Sequence, residues 1–138
     1  MFTPDPTTQA WLENFVRAQG GVAGTVHRRV GDNLALAAAV NIPPPVLAAT
    51  RTIPQGKGMA GLAWERKAPV QTCNLQEDKS GEVRPGAKAV KALAAIALPV
   101  FDAQGEIRAV AGLAFAREGE IGEAAARQFL AAAANLPA

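Results

Sequence analysis

Residues 52–75 contain glycine and proline at close intervals. This stretch restricts the possible folds more than any other part of the sequence. Pro54 disfavours helical backbone at the residue before it, so Ile53 is expected to lie at the end of a strand. Gly56 and Gly58 tolerate positive φ angles, which predicts a tight reversal of the chain. A strand that turns sharply into the next element is therefore expected here.

A short helix is predicted directly after that reversal, at Met59–Arg66, because the segment contains mainly good helix formers. Gly61 within it costs roughly 1 kcal/mol relative to alanine, which predicts a close approach of this helix to the sheet. Pro69 then ends the helix, and the alternation in Val70–Thr72 predicts another strand. The order is strand, glycine-rich turn, short helix and strand.

The remaining segments alternate between amphipathic helix patterns and apolar strand patterns. Asp5 and Pro6 suit the N-cap and the first helical position, and apolar residues follow at one-face spacing as far as Gln19. Gly31-Asp32-Asn33 predicts a hairpin turn, and the charged segment 74–86 predicts a long loop of the kind that often binds ligands. Further strands are predicted at 24–30, 34–40, 51–53, 94–101 and 106–116, and further helices at 46–50, 87–93 and 119–136.

The segment 106–116 carries apolar residues on both faces, which is typical of a central strand that is covered on both sides. The period of two predicts Ile107 and Ala109 on one face and Val110 and Gly112 on the other. The same rule separates Val26, Arg28 and Val30 from Thr25, His27 and Arg29 in the first strand.

These patterns predict an α+β fold with a central antiparallel sheet of five or six strands. The terminal helices are expected to pack together on one face. The short helix at 59–66, the long loop and the segment 87–93 are expected to cover the other face. No internal repeat or linker is evident, so residues 1–138 are predicted to form a single domain.

The order and spacing of the motifs resemble the GAF domain family. The similarity covers about Trp11 to Leu136, and it implies a GAF-like (profilin-like) sheet with a sensory or regulatory role, in which a small molecule lies beneath the short helix. It rests on Ile53-Pro54, Gly56-x-Gly58-x-x-Gly61-x-Ala63, Pro69-Val70, Asn74-Leu75, Leu98-Pro99-Val100 and Gly105-Glu106-Ile107…Gly112-Leu113.

Within that resemblance, we expect an unknown small molecule to contact residues of the short helix, the flanking strands and the basic loop. Between Arg51 and Lys91 there are eight basic and four acidic residues, whereas the whole chain has a net charge of only +2. Either an anionic ligand or a solvated basic surface accounts for this excess. The predicted ligand-binding residues are Ile53, Met59, Leu62, Thr72, Cys73, Arg84, Lys88, Lys91 and Ile96.

The basic residues outside this region are scattered and not interleaved with aromatic residues, which argues against nucleic-acid binding. A single cysteine cannot form an intrachain disulfide. The N-terminus lacks a signal-peptide pattern, and no uncharged run of about 18 apolar residues predicts a membrane span. We therefore expect a cytoplasmic protein that binds no membrane.

Catalysis is not predicted. One reductase branch of the GAF family, which acts on free methionine sulfoxide, resembles this chain at Gly56-Lys57-Gly58, but it has a cysteine where this chain has Ala60. It also has a further cysteine that finds no counterpart here between Asn74 and Leu93. A thiol–disulfide cycle needs an attacking and a resolving thiol, so a reductase that uses Cys73 alone remains only an alternative.

No metal site or cofactor is predicted. The sole histidine, His27, has no second histidine and no cysteine pair with which to complete a metal site. We interpret it as structural or solvent-facing.

The terminal helices are expected to form a homodimer, with Trp11, Phe15 and Phe129 as anchors. Signalling would then pass through a partner protein. The alternative function is a dimerisation or protein-interaction module without a ligand.

Overall fold

The structure, a computed structural model, describes residues 2–74 and 92–138. Within these residues, six strands form one antiparallel sheet in the order β3-β2-β1-β6-β5-β4. The predicted α+β class is confirmed, with the larger of the two expected strand numbers. The helices are α1 (Pro6–Ala18), α2 (Pro44–Ala49), α3 (Gly58–Arg66) and α4 (Glu123–Ala133), and the strands are β1 (Ala23–Val30), β2 (Asn33–Val40), β3 (Thr52–Pro54), β4 (Val70–Thr72), β5 (Ala95–Phe101) and β6 (Ile107–Ala114).

Helix α1 begins as its sequence predicts. The Asp5 side chain accepts a hydrogen bond from the backbone N–H of Thr8 at 3.0 Å, and Pro6 occupies the first turn, where a missing N–H is harmless. The Thr8 hydroxyl also donates to Asp5, and these hydrogen bonds to the charged form lower the pKa of the Asp5 carboxyl. These contacts fix the residue at which the helix starts. The apolar residues of the helix face the sheet.

The two terminal helices lie on one face of the sheet, which we call the helix face. Helix α1 packs on β1 and β2, and α4 packs on β5. Their apolar residues join those of β1, β5 and β6 in one cluster, which includes Leu12, Val26, Leu98, Leu113 and Phe129. The predicted placement of both helices on the same face is confirmed.

Helices α2 and α3 cover the opposite face, which we call the cavity face. Trp64 of α3 packs in a second apolar cluster with Ile53, Val70 and Val110. The guanidinium of Arg29 lies 5.2 Å from the centroid of the Trp64 ring, within range of a cation–π interaction. Apolar surfaces therefore hold α3 against the sheet.

The predicted face of Ile107 is wrong. Val100 pairs with Ala109 and Phe101 pairs with Ile107, so Arg108 is an extra residue in β6. This β-bulge breaks the period of two. Ile107 consequently packs with the clusters of the cavity face, while Ala109 stays on the helix face.

The predicted start of the last helix, at Gly119, is also wrong, because α4 begins at Glu123. The Gln71 side chain forms two hydrogen bonds to the backbone of Ile121, accepting from its N–H at 2.9 Å and donating to its carbonyl at 3.1 Å. These bonds hold the backbone before α4 in an extended path. Gly119 has a φ of +134°, which lies far from helical backbone.

Two of the proposed dimer anchors are buried within the chain itself. Phe15 is 5% exposed and Phe129 is 6% exposed, and both belong to the core of the helix face. They are therefore unable to anchor an interface as predicted. Trp11 is half-buried and stacks on Phe15 with ring centroids 4.7 Å apart.

Among the described residues, no helix is both long and apolar enough to cross a membrane. Most of the predicted helix at 87–93 and nearly all of the predicted loop at 74–86 lie outside the described residues, and the described end of that helix, Ala92 and Leu93, is not helical.

Candidate functional site

A cavity of about 140 Å³ lies on the cavity face, between the sheet and the covering helices. The strands beneath it carry small residues, alanine and glycine, so the surface of the sheet is shallow there and the covering side chains do not fill the space. The described residues that line it are Gly24, Thr25 and His27 of β1, Ile42, Val46 and Thr50 in and around α2, Ile53, Gly58, Met59 and Ala60 of β3 and α3, Ala95, Ile96 and Ala97 of β5, and Gly112, Leu113 and Ala114 of β6.

The glycine-rich turn positions α3 at the edge of this cavity. Gly56 and Gly58 have φ angles of +81° and +65°, as their predicted role in the turn requires. A Cβ atom on Gly61 would lie only 2.5 Å from the carbonyl oxygen of Pro54, so the helix touches the backbone at the end of β3. The predicted close approach of α3 to the sheet is confirmed at this edge strand.

The first turn of α3 presents free backbone donors. The N–H groups of Gly58, Met59 and Ala60 donate no hydrogen bond to any described residue, and the Lys57 side chain does not cap the helix. The N-terminal N–H groups of a helix carry partial positive charge. Because these three residues line the cavity, its wall includes donors suited to an oxygen of a bound molecule.

His27 places a second polar group at the cavity. The residue is 3% exposed, and its Nε2 lies 2.7 Å from the backbone carbonyl oxygen of Thr50. Since a carbonyl only accepts, Nε2 carries the proton and Nδ1 carries a lone pair. Burial lowers the pKa of His27 to about 4, against the opposing effect of the Thr50 bond, so the ring is neutral at physiological pH.

The Nδ1 atom of His27 is buried and has no hydrogen-bond partner among the described residues. Buried polar atoms in folded proteins nearly always have a partner. The sequence predicts that His27 is either structural or solvent-facing. The second alternative is wrong because the residue is buried, and the hydrogen bond to Thr50 supports the first. Sequence reasoning missed this residue as part of a site, although its alternation with Thr25 on one face of β1 was a signal that could have found it.

Thr25 adds a third polar group beside His27 on the same strand face. It pairs with Gly112 across β1 and β6, and a Cβ atom on Gly112 would lie 2.7 Å from the Thr25 Oγ1. The glycine therefore leaves room for the threonine hydroxyl. That hydroxyl has no hydrogen bond to a described residue.

Three predicted ligand-binding residues, Ile53, Met59 and Ile96, line the cavity. Leu62 packs against the Trp64 cluster. Thr72 is half-buried at the end of β4, and Cys73 follows it as an exposed thiol, and neither is among the described lining residues.

Three further predicted residues, Arg84, Lys88 and Lys91, lie outside the described residues. The described part of the cavity wall contains no charged side chain. Within residues 2–74 and 92–138, no group of three or more histidine, cysteine or acidic residues is arranged to hold a metal ion.

The GAF domain family model matches residues 4–136 of the sequence, so the chain belongs to the GAF domain family. None of the curated proteins matches the sequence.

Solved structures share the fold at low sequence identity. The type II free methionine-R-sulfoxide reductase from Thermoplasma acidophilum is 16% identical with a TM-score of 0.75, over 95% of this chain and 89% of that chain. The GAF domain from an Acinetobacter phosphoenolpyruvate-protein phosphotransferase is 14% identical with a TM-score of 0.74, over 95% and 78%. The free methionine-R-sulfoxide reductase from Neisseria meningitidis, solved with its substrate, is 19% identical with a TM-score of 0.67, over 89% and 73%. Two free methionine-R-sulfoxide reductases and a GAF domain of a phosphotransferase therefore share this architecture.

Proposed function

We propose that this chain is a sensory or regulatory domain that binds a small molecule in the cavity beneath α2 and α3, without catalysing a reaction on it. The observation that carries the proposal is the cavity of about 140 Å³ between the sheet and the covering helices, whose described lining is mostly apolar. The free N–H groups at the start of α3 lie in that lining and supply polar contacts. They offer hydrogen bonds that a bound molecule or water would satisfy.

The cavity volume limits the size of the enclosed molecule. An engineered protein cavity of about 150 Å³ holds a benzene molecule, and the present cavity is about 140 Å³. The enclosed part of the ligand therefore has roughly six to eight non-hydrogen atoms.

Native mass spectrometry of protein purified without added ligand tests the proposal. A retained small molecule is expected as additional mass, and re-adding it after removal should raise the melting temperature. If no mass is retained and a screen of small polar and aromatic compounds leaves the melting temperature unchanged, the ligand-free interaction module is favoured instead.

The reductase neighbours support a second candidate function, reduction of free methionine sulfoxide. Against it, Cys73 is exposed and absent from the described cavity wall, and Ala60 lies in that wall where a reductase of this kind is expected to have a cysteine. Incubation with free methionine-R-sulfoxide and dithiothreitol is expected to yield no methionine. Turnover that disappears in the Cys73→Ser variant would establish the enzyme.

The wider role is part of the same proposal. The domain works in the cytoplasm, binds neither nucleic acid nor membrane, and signals through contacts with a partner protein. The scattered distribution of the basic residues supports the absence of nucleic-acid binding. An anionic ligand remains a prediction that depends on Arg84, Lys88 and Lys91.

A further inference from the structure

We propose that the ligand of the cavity carries an apolar chain, and that this chain leaves the cavity past the side chain of Ile42 and lies in a neighbouring groove. The inference deepens the proposed function and rests on it. It names the class of the ligand, which is a compact head of roughly six to eight non-hydrogen atoms joined to an alkyl chain.

The groove lies between the N-terminal segment, the start of β1 and the entrance to α2. Its volume of about 830 Å³ is in the range of small-molecule sites. Val22 in its wall is 36% exposed, which makes it one of three large apolar residues that the described part of the chain leaves exposed. Contiguous apolar surface of this kind marks binding sites. The apolar side chains of the wall include Phe2, Pro4, Val22, Ile42, Pro43 and Leu47.

The groove and the cavity adjoin at Ile42. This half-buried residue lines both spaces, and among the described residues no other does so. On β1, Ala23 lines the groove and the next residue, Gly24, lines the cavity. On α2, Val46 lines the cavity and the next residue, Leu47, lines the groove. Ile42 packs against a cluster that contains both Ala23 and Val46, so a chain that leaves the cavity at this point enters the groove.

The backbone on both sides of Ile42 is held in place. The Asn41 side chain donates to the Val22 carbonyl at 2.8 Å, and Asn41 has a φ of +55°, a left-handed conformation that asparagine tolerates. Pro43 follows with a φ of −59°, which its ring fixes. Passage of a chain therefore requires a rotation of the Ile42 side chain rather than a rearrangement of the loop.

The backbone groups along the groove already have partners. Ala39 donates its N–H to Gln9 Oε1 at 3.0 Å, and its carbonyl accepts from Gln9 Nε2 at 2.8 Å. Val22 donates to the Ala114 carbonyl at 2.8 Å and accepts from Asn41. A peptide strand therefore finds no free edge at these residues. An alkyl chain buries apolar surface there without the loss of any of these hydrogen bonds.

Alkylbenzenes of increasing chain length test the inference on the wild-type protein. Benzene matches the cavity alone. Full burial of a methylene gains about fourfold in affinity, and half of that free energy, in a groove with a partly exposed wall, gains about twofold. Isothermal titration calorimetry is therefore expected to show that n-butylbenzene binds at least eightfold more tightly than benzene.

The possible failures of this titration differ. Equal affinities for benzene and n-butylbenzene would overturn the inference and leave the proposed function intact. If neither compound binds, the proposed function fails, and this inference fails with it.

The variant Val22→Asp separates binding in the groove from general hydrophobic attraction. It places a carboxylate in the groove wall, whereas Val30→Asp makes the same change at the far end of β1, where the side chain is 63% exposed. Val22→Asp is expected to weaken n-butylbenzene at least fivefold and to change benzene by less than about twofold, because a hydrated carboxylate resists burial under an alkyl chain. Val30→Asp should change neither. An equal effect of Val22→Asp on both compounds, or no effect on either, would overturn the inference.

The position of the chain can also be measured without a variant. In the wild-type complex with n-butylbenzene, nuclear Overhauser effects are expected between the terminal methyl group of the ligand and the methyl groups of Val22 and Leu47. The ring protons should show them to Met59 and Val46, which line the cavity. Contacts of the terminal methyl group with Met59 and with neither Val22 nor Leu47 would contradict the inference.

Discussion

The Nε2 atom of His27 lies 2.7 Å from the carbonyl oxygen of Thr50, and this hydrogen bond joins the middle of β1 to the end of α2. This bond connects the sheet to α2, one of the two helices that cover the cavity. The same bond fixes the ring tautomer and keeps Nδ1 unprotonated. One contact therefore ties the helix that covers the cavity to the sheet beneath it and fixes the tautomer of the buried ring.

Acid should destabilise the protein through His27. The unfolded histidine titrates at its ordinary pKa of 6.5, whereas the folded one titrates at about 4 because it is buried. Between these values the unfolded state binds the extra proton, so stability falls as the pH falls. At about 1.4 kcal/mol per pKa unit, the loss from pH 7 to pH 4 is about 3 kcal/mol. Urea denaturation at the two pH values measures it.

The variant His27→Gln is the control for that titration, because Asp5 and the other acids titrate in both proteins. The difference in unfolding free energy between pH 7 and pH 4 should be smaller in the variant by about 3 kcal/mol. An identical pH dependence would show that His27 is protonated as easily in the folded as in the unfolded protein.

The substitution Gly112→Ala should narrow the cavity. Its Cβ would lie 2.7 Å from the Thr25 Oγ1, so the threonine must rotate and the floor of the cavity rises. We expect a small cavity probe such as benzene to lose at least fivefold in affinity, while overpacking costs about 1–3 kcal/mol of unfolding free energy. The variant Thr25→Val keeps the space and removes only the hydroxyl. Benzene affinity should therefore be unchanged in Thr25→Val, and a loss as large as in Gly112→Ala would rule out the steric explanation.

The substitution Gly61→Ala should destabilise the fold although alanine is the better helix former. The added Cβ would approach the Pro54 carbonyl oxygen to 2.5 Å and the Gly56 nitrogen to 3.2 Å, and backbone atoms cannot rotate away. Overpacking costs about 1–3 kcal/mol, which exceeds the gain of roughly 1 kcal/mol in helix propensity. Chemical denaturation measures the net loss. A gain in stability would mean that α3 does not touch the end of β3.

The C-terminal segment after α4 should depend on Arg108. Its Nη2 donates to the Leu136 carbonyl at 2.7 Å and its Nη1 donates to the Pro137 carbonyl at 3.2 Å. The variant Arg108→Met is expected to lose about 1.5–3 kcal/mol, as hydrogen bonds to charged groups contribute about that much. Arg127→Met is the matched control, because the Arg127 side chain is 69% exposed and, among the described residues, pairs with Glu123 alone on the same helix. Its effect should stay within about 0.5 kcal/mol. Equal effects in the two variants, measured by urea denaturation, would refute the role of Arg108.

The homodimer remains a prediction, and its interface must use the outer surface of the terminal helices because Phe15 and Phe129 are buried. Sedimentation equilibrium is expected to give twice the mass of one chain. The exposed Ala131 lies on α4 and the exposed Ala48 lies on α2. Ala131→Arg should produce monomers while Ala48→Arg leaves the dimer intact. A monomeric wild-type protein, or dissociation by Ala48→Arg alone, would exclude this interface.

The sequence by itself determined the order and nature of the elements, because those depend on local chemistry. Proline at position 54 and the positive φ angles at Gly56 and Gly58 fix the turn before α3. The apolar periodicities of 3.6 and 2 locate the helices and most strand faces. The family resemblance at these residues led to the same fold.

Only the tertiary structure decided how distant residues meet. The bulge at Arg108 moves Ile107 to the other face of the sheet, and the Gln71 side chain delays the start of α4 by bonding to Ile121. The hydrogen bond between His27 and Thr50 joins residues 23 positions apart, so a local sequence pattern does not predict it either. Burial removes the solvent that would otherwise satisfy Nδ1, and burial depends on packing between elements rather than on neighbours in the chain. For that physical reason the sequence predicted the elements that surround the cavity, whereas only the folded structure showed which polar groups lie in the cavity wall.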